Sequence, residues 1–341
     1  IKELITAVRR VNPDMMFCAD YEDGAGRWVA GSVELPSNMA IAASGDAGMA
    51  YQKGWHTGTT ARALGVNLIL APVADLAVRP DNPIVNTRAF SADPAKTAKF
   101  CSEFLRGLNA AGLPGCVKHF PGHGDTATDS HLGLPVIEKD LAAFKACDAA
   151  PFAALAKQAD AVMPGHLLVR ALDAENPASF SSAAIDGLLR GEMGFNGCVI
   201  TDALSMKAVQ DETAAAMKAL AAGADILLVP QEPVALIKAL NKAVKEERVP
   251  LPVMARALRN TAALRRRQSE LASAGPKLTD DENLRAREFN GVSARKCCAF
   301  LGAPVFVPLK AGDSVRVYET SPRRPPFFAG SMDPMSDEKG D

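Results

Sequence analysis

An excess of charge of either sign is missing from this sequence: 38 Lys and Arg face 39 Asp and Glu, leaving a net charge of −1. A chain so balanced carries no electrostatic footprint for nucleic acid or for an anionic membrane, and neither is expected as a partner. Long apolar runs are also missing, since none approaches the roughly 18 residues that a spanning helix requires. The seven cysteines (Cys18, Cys101, Cys116, Cys147, Cys198, Cys297 and Cys298) include no C-x-x-C pair, so zinc-ribbon and dithiol redox patterns are excluded. They are odd in number and sit mostly in apolar segments, which suits reduced core residues and a cytoplasmic location. A secreted or periplasmic origin is the alternative, because the chain opens at Ile1 inside a helical pattern and could have lost a leader. Aromatics are scarce, at 6% with two tryptophans.

What is present is the composition of an ordinary globular protein, 48% apolar and 23% charged. Short apolar runs recur and end at a polar residue or a proline. They are Met15–Ala19 before Asp20, Val66–Ala71 before Pro72, and Cys116–Val117 before Lys118. Ala161–Met163 before Pro164, Cys198–Thr201 before Asp202, and Ile226–Val229 before Pro230 continue the series. Helical patterns lie between them, as at Ala95–Ala111, Leu141–Gln158 and Met206–Ala222. Continuous apolar strands alternating with helices predict a parallel α/β fold buried on both faces. Ligand-type residues follow five of the six strands, which favours a (β/α)8 TIM-type barrel, because a barrel brings all strand ends to one face. An open doubly wound sheet is less suited: Asp23–Arg27 lacks the glycine pattern of a dinucleotide loop. The barrel is expected to lack its first strand here, with that strand upstream of a helix at Lys2–Val11. A basic helix at about Pro252–Ser273 would close a catalytic domain over residues 1–274. Residues 275–341 read as a linker, a helix near Asp281–Arg295, and the start of a truncated second α/β domain or a tail.

The densest chemistry lies in Lys118-His119-Phe120-Pro121-Gly122-His123-Gly124-Asp125, followed by Asp129-Ser130-His131. Three of the chain's five histidines fall within these fourteen residues. Pro121, Gly122 and Gly124 rule out a continuing helix and predict a tight turn at a strand end, where rigid scaffolds display chemistry. Asp129 two residues before His131 can fix the tautomer of the imidazole and raise its basicity. Equally, the pair can be loop residues bonded to their own backbone. Asp202 ends an apolar run before a helical pattern, so it is either a nucleophile or electrostatic group in the barrel mouth or a helix N-cap. Asp20, Arg88, Lys118, His119 and His166 are placed at the same mouth, where several donors and acceptors with few aromatics suit a hydroxyl-rich ligand. Asp75 reads as half of a buried ion pair, His56 as a loop or helix-start residue, and His123 and Asp125 as braces of the turn. A metal centre on His119, His123, Asp125 and His131 is the rival reading. Proline and glycines between the first two histidines deny the helical spacing that zinc motifs use, so no metal and no cofactor is expected.

The run Lys118–Asp125 with Asp129-Ser130-His131 resembles the signature of the family 3 glycoside hydrolases, in particular their β-N-acetylhexosaminidase branch. Ala71–Asp75 with Asn82-Pro83 and Asn86–Ser91, then Pro177–Ser181 with Gly194–Gly197, and finally Ile200–Met206 are similar to further segments of that family in order and spacing. Together they span about residues 15 to 272. The resemblance implies a retaining, cofactor-free exo-β-N-acetylglucosaminidase acting on terminal N-acetylglucosamine of cell-wall fragments or chitooligosaccharides. It implies Asp202 as nucleophile, His131 as general acid/base with Asp129 as its partner, and Asp20, Arg88, Lys118, His119 and His166 as sugar-binding groups. Phosphorolysis or a broader β-glucosidase activity is the close alternative, and a catalytically silent sugar-binding barrel a different class. The substrate would be the partner, and a monomer is expected. Three departures stand out. Asp20–Arg27 carries an insertion relative to the family's D-x-E-G-G-R pattern, Pro164-Gly165 replaces a Ser/Thr-Ala pair before His166, and Ala203 replaces a second aspartate.

Overall fold

The computed structural model describes residues 1–126, 134–279 and 281–297. Eight strands are described: β1 (Cys18–Ala19), β2 (Leu68–Ile69), β3 (Cys116–Phe120), β4 (Val136–Ile137), β5 (Ala161–Pro164), β6 (Leu168–Val169), β7 (Cys198–Ala203) and β8 (Ile226–Leu228). Helices α1 (Lys2–Val11), α2 (Asn38–Ala43), α3 (Ala47–Leu64) and α4 (Pro94–Ala110) precede or follow the first two strands. Then come α5 (Leu141–Ala146), α6 (Ala150–Leu155), α7 (Glu212–Ala222), α8 (Pro233–Lys245), α9 (Leu251–Ala274) and α10 (Glu282–Lys296), with a π-helical stretch at Ala183–Glu192 before β7.

All six expected strands form, and all run parallel. β1 pairs with β2, and single bridges from Ile69 to Gly115 and from Val73 to Lys118 carry the pairing on to β3. From there the order is β3-β5-β7-β8. The short pair β4–β6 lies outside this row and was not expected. Two-residue strands present too few side chains for any periodicity to register.

Alternation along the row separates two cores. Leu68, Leu70, Cys116, Ala161, Met163, Cys198 and Ile200 cluster on one face, with Met16, Ile226 and Leu228 packed against them. Val117, Val162 and Val199 turn the other way, into the larger core shared with the helices. Asp20, Lys118 and Asp202 continue the first face past its apolar part, by the period of two along each strand. The sequence pattern therefore aims these three charged groups to one side before any loop is considered.

Leu264 of α9 also belongs to the inner cluster, and the polar contacts of that helix explain how. Asn260 donates to Asp225, just before β8, at 3.0 Å. Arg267 reaches Asp160, just before β5, at 3.0 Å, and Arg62, at the end of α3, donates to the carbonyl of Ala272 at 3.3 Å. The helix thus lies across the amino ends of the strands and closes the apolar interior there. The polar cluster sits at the opposite, carboxyl ends. Beyond it, α10 returns to the body of the fold, burying Ala286 and Phe289, with the Phe289 ring 5.1 Å from that of His56.

Three expectations need correcting. The helical pattern at Leu141–Gln158 is two helices, broken at Cys147–Ala149, because Pro151 cannot accept continuation of the helix before it. The pattern at Met206–Ala222 becomes a helix only from Glu212, after Asp211 caps it by accepting the amide of Ala214 at 2.9 Å. His56 is no loop residue: it lies within α3, its ring against Trp55 and Phe289. Among the described residues no helix is long and apolar enough to cross a membrane.

Candidate active site

β1, β2 and β3 deliver a connected set of charges. Lys118, 2% exposed, pairs with Asp20 and lies 2.7 Å from Oε1 of Glu22. Arg88 holds Glu22 with both arms of its guanidinium, at 2.9 and 2.8 Å. Nη2 of Arg88 also lies 3.5 Å from Nε2 of His119, and Nδ1 of His119 lies 2.7 Å from Oδ2 of Asp75. Asp75 is fully buried and takes the amide of His123 at 2.7 Å on its other oxygen. A carboxylate on Nδ1 requires that nitrogen to donate. That contact orients the ring and leaves Nε2 facing Arg88.

The charge states follow from these neighbours. Burial works to raise the Glu22 carboxyl, but the charges of Arg88 and Lys118 outweigh it and hold it well below the usual range. Asp75 behaves likewise: burial raises it, while His119 and His123 pull it lower. For Lys118, burial disfavours the charge but Asp20 and Glu22 more than restore it, so the ammonium is kept.

Asp202, next to last in β7, is half-buried. Its Oδ1 accepts the amide of Ala203 at 2.8 Å. Burial again opposes ionisation, and His119, His166, the Ala203 amide and Lys118 reverse it, leaving a carboxyl below its ordinary value. Asp202 therefore shares its electrostatic surroundings with residues of β3 and with His166 just after β5, all more than thirty positions away. His166 is fully buried. Its Nδ1 lies 2.7 Å from Oγ of Ser179 and its Nε2 3.1 Å from the carbonyl of Ala203. Since a carbonyl can only accept, Nε2 donates, and the ring buttresses the backbone beside Asp202. His123 is likewise buried, its Nδ1 2.7 Å from Oγ1 of Thr126. Burial pushes its pKa down to about 4, so it is neutral near pH 7.

Asp20, Arg88, Lys118, His119, His166 and Asp202 are thus gathered at the carboxyl ends of the row. Asp129 and His131 lie outside the described residues. Glu22 is the charged group that the reading of the sequence passed over, although it stands two positions after Asp20 and so on the same side of the chain. Arg27, at the insertion, pairs with Asp23 at 3.3 Å and with Glu34, bracing the β1 loop. Cis peptide bonds occur at Ala71-Pro72, Lys118-His119 and Phe120-Pro121. Among the described residues, no group of three His, Cys, Asp or Glu side chains is placed to hold a metal ion.

Parallel strands wrapped by helices, with ionisable side chains collected at one set of strand ends, define an α/β enzyme whose chemistry is carried by its βα loops. The sequence matches the glycosyl hydrolase family 3 N-terminal domain over residues 2–264, and the chain belongs to that family of glycoside hydrolases. A relative named beta-hexosaminidase from Pseudomonas aeruginosa (strain LESB58) is 39% identical over 234 residues, 67% of this chain and 70% of that one. One of the same name from Methylococcus capsulatus is 35% identical over 249 residues, 70% of this chain and 74% of the other. The solved structure of a glycoside hydrolase family 3 beta-N-acetylglucosaminidase from Paenibacillus superposes with a TM-score of 0.79 at 34% identity. That match covers 86% of this chain, which spans 59% of the solved one. A beta-glucoside phosphorylase, at 22% identity and a TM-score of 0.76, shares the fold.

Proposed function

We propose that this chain carries the site of a retaining β-N-acetylglucosaminidase, built on a (β/α)8-type barrel and acting on nonreducing terminal N-acetylglucosamine. Peptidoglycan fragments and chitooligosaccharides are the natural substrate class on this reading. The carrying observation is the position of Asp202 at the carboxyl end of β7, on the face of the strand row that also carries Lys118, with surrounding charges that lower its carboxyl. A general acid needs a raised pKa; a group that must attack an anomeric carbon needs to be ionised already. Asp202 is suited to the second role.

In the first step Asp202 attacks the anomeric carbon and the glycosidic bond breaks. The departing oxygen takes a proton from His131, which Asp129 orients. In the second step His131 removes a proton from water, and the water oxygen displaces Asp202 from the sugar. The imidazole is cationic before it donates and neutral until it takes the proton from water, so it never sets a second negative charge against Asp202 as a carboxylate would. Asp20, Lys118, Arg88 and His119 bind the sugar hydroxyls and the acetamido group. His166 acts from beneath, through the backbone of Ala203. The similarity to beta-hexosaminidases and to a beta-N-acetylglucosaminidase supports the choice of sugar.

The test is turnover of an aryl N-acetyl-β-glucosaminide by Asp202→Ala, where a loss of at least about a thousandfold is expected of a missing nucleophile. A 2-fluoro sugar with a good leaving group should label Asp202, located by peptide mass. Activity equal to that of the unaltered protein would end this reading. Release of free sugar at the same rate with and without phosphate identifies hydrolysis; a sugar 1-phosphate would replace it with phosphorolysis.

A further inference from the structure

Lys53 lies in the middle of α3, wholly buried, and takes no part in the chemistry above. Its ammonium donates to Oδ1 of Asp23 at 2.7 Å and to Oδ1 of Asn38. Asp23 and Asn38 are themselves only 5% and 2% exposed. The Asn38 amide in turn donates to the backbone carbonyl of Arg88 at 2.7 Å. Asp23 directly follows Glu22, the residue that holds the guanidinium of Arg88. A ring is thereby closed, running from Glu22 through Asp23, Lys53, Asn38 and Arg88 back to Glu22.

The members of the ring are fixed at their roots. A side chain on Gly54, next to Lys53, would meet the carbonyl oxygen of Phe104 at 2.1 Å. Helices α3 and α4 therefore touch backbone to backbone there, and the root of Lys53 has little room to move. The carbonyl of Asp23 accepts the Leu35 amide at 2.7 Å. Stability alone is a weak reason for such a lysine. Burial pulls its pKa below the ordinary value, and Asp23 and Glu22 offset only part of that. Taking an ammonium out of water is a cost that the attraction within a buried pair often fails to repay. Asp23 has a second cation besides, Arg27 at 3.3 Å. What Lys53 adds is geometric: it ties the chain on both sides of the Glu22–Arg88 pair to one point in α3.

We infer that Lys53 is a positioning residue for sugar binding, acting through Asn38 and Asp23 on the direction of Arg88. The inference rests on Arg88 being one of the sugar-binding groups proposed above. Wholly enclosed, Lys53 cannot reach a sugar itself. Its loss leaves Glu22 and Arg88 paired with each other but frees the pair to shift together. A charged donor that swings off its target forfeits most of that contact, because a hydrogen bond weakens steeply with angle.

The experiment uses the full chain and reads the dissociation constant of free N-acetylglucosamine by ligand-observed NMR, which needs no turnover. Lys53→Met, which keeps the length of the stem, should weaken binding about tenfold, the size of one charge-assisted hydrogen bond. Arg88→Ala should weaken it at least as much. Adding Lys53→Met to Arg88→Ala should change it less than about twofold, because a residue that works through Arg88 then has nothing left to position. With an aryl N-acetyl-β-glucosaminide the loss in Lys53→Met should lie in KM, with kcat held within about threefold. Asn38→Ala keeps the Lys53–Asp23 pair and cuts only the link to Arg88; it should reproduce the weakening, and it carries the test if Lys53→Met does not fold. Unaltered affinity in either variant once folded, equal losses with and without Arg88, or failure of both variants to fold overturns the positioning role while the unaltered chain still binds N-acetylglucosamine. An unaltered chain that does not bind this sugar brings down the substrate reading, and the positioning role with it.

Discussion

Glu22 meets Arg88 through two parallel contacts of 2.9 and 2.8 Å, and the oxygen that takes Nη2 of Arg88 also takes the ammonium of Lys118 at 2.7 Å. One carboxylate therefore compensates two cations at the carboxyl ends of β1 to β3. With Glu22 in place, Arg88 and Lys118 keep fixed directions toward whatever enters the site. Without it, Arg88 loses its carboxylate and Lys118 keeps only Asp20.

Glu22→Ala should accordingly destabilise the fold by about 3–5 kcal/mol, the range for removing one partner of a buried pair. Glu22→Gln, which keeps the shape and part of the hydrogen bonding, should lose less. Urea midpoints at pH 7 measure both. A midpoint for Glu22→Ala indistinguishable from that of the unaltered chain would mean the two cations are satisfied without it.

Stability should fall as the medium is acidified through the histidine range. Burial lowers the pKa of both His56 and His123 from 6.5 to about 4. Between those values the unfolded chain binds protons that the folded chain does not, so the stabilising contribution is complete above pH 6.5 and is lost as pH falls toward 4. Each such histidine contributes a slope of up to about 1.4 kcal/mol per pH unit. Replacing His56 by Leu should remove one proton's worth of slope between pH 6.5 and 4.5, read from urea midpoints at half-unit steps. An unchanged slope would show that His56 titrates normally in the fold.

The placement of α9 can be tested by two leucines on one helix. Leu264 is 3% exposed and lies in the cluster formed by the strands, whereas Leu258 is 66% exposed. Leu264→Ala should destabilise by about 2–5 kcal/mol, as buried leucines do. Leu258→Ala should change stability by no more than about 0.5 kcal/mol. Similar small effects at both positions would mean that α9 does not close the strand interior.

Much of this arrangement is legible in the chain itself. Parallel strands buried on both faces need uninterrupted apolar residues, and six such runs stand out at Met15–Ala19, Val66–Ala71, Cys116–Val117, Ala161–Met163, Cys198–Thr201 and Ile226–Val229. The polar residues that end them are legible for the same reason, since Asp20, Lys118 and Asp202 interrupt an apolar pattern at the point where burial ends. The π-helical stretch at Ala183–Glu192 and the pair β4–β6 left no such trace. Neither did the break between α5 and α6, because a helical pattern continues on both sides of it until Pro151 is weighed.

Local patterning, then, determined where strands begin and stop and which ionisable residues leave them on the inner side, because side-chain direction alternates along any extended segment regardless of its neighbours. Partnership was decided only in three dimensions. Glu22 joins Arg88 across 66 positions, and His119 joins Asp75 across 44. Asp202 draws its low pKa from residues of other strands. Such pairings depend on distances that no single stretch of chain contains, and the energy of a charge in a poorly solvated site is set by whichever group the fold brings within a few ångströms of it.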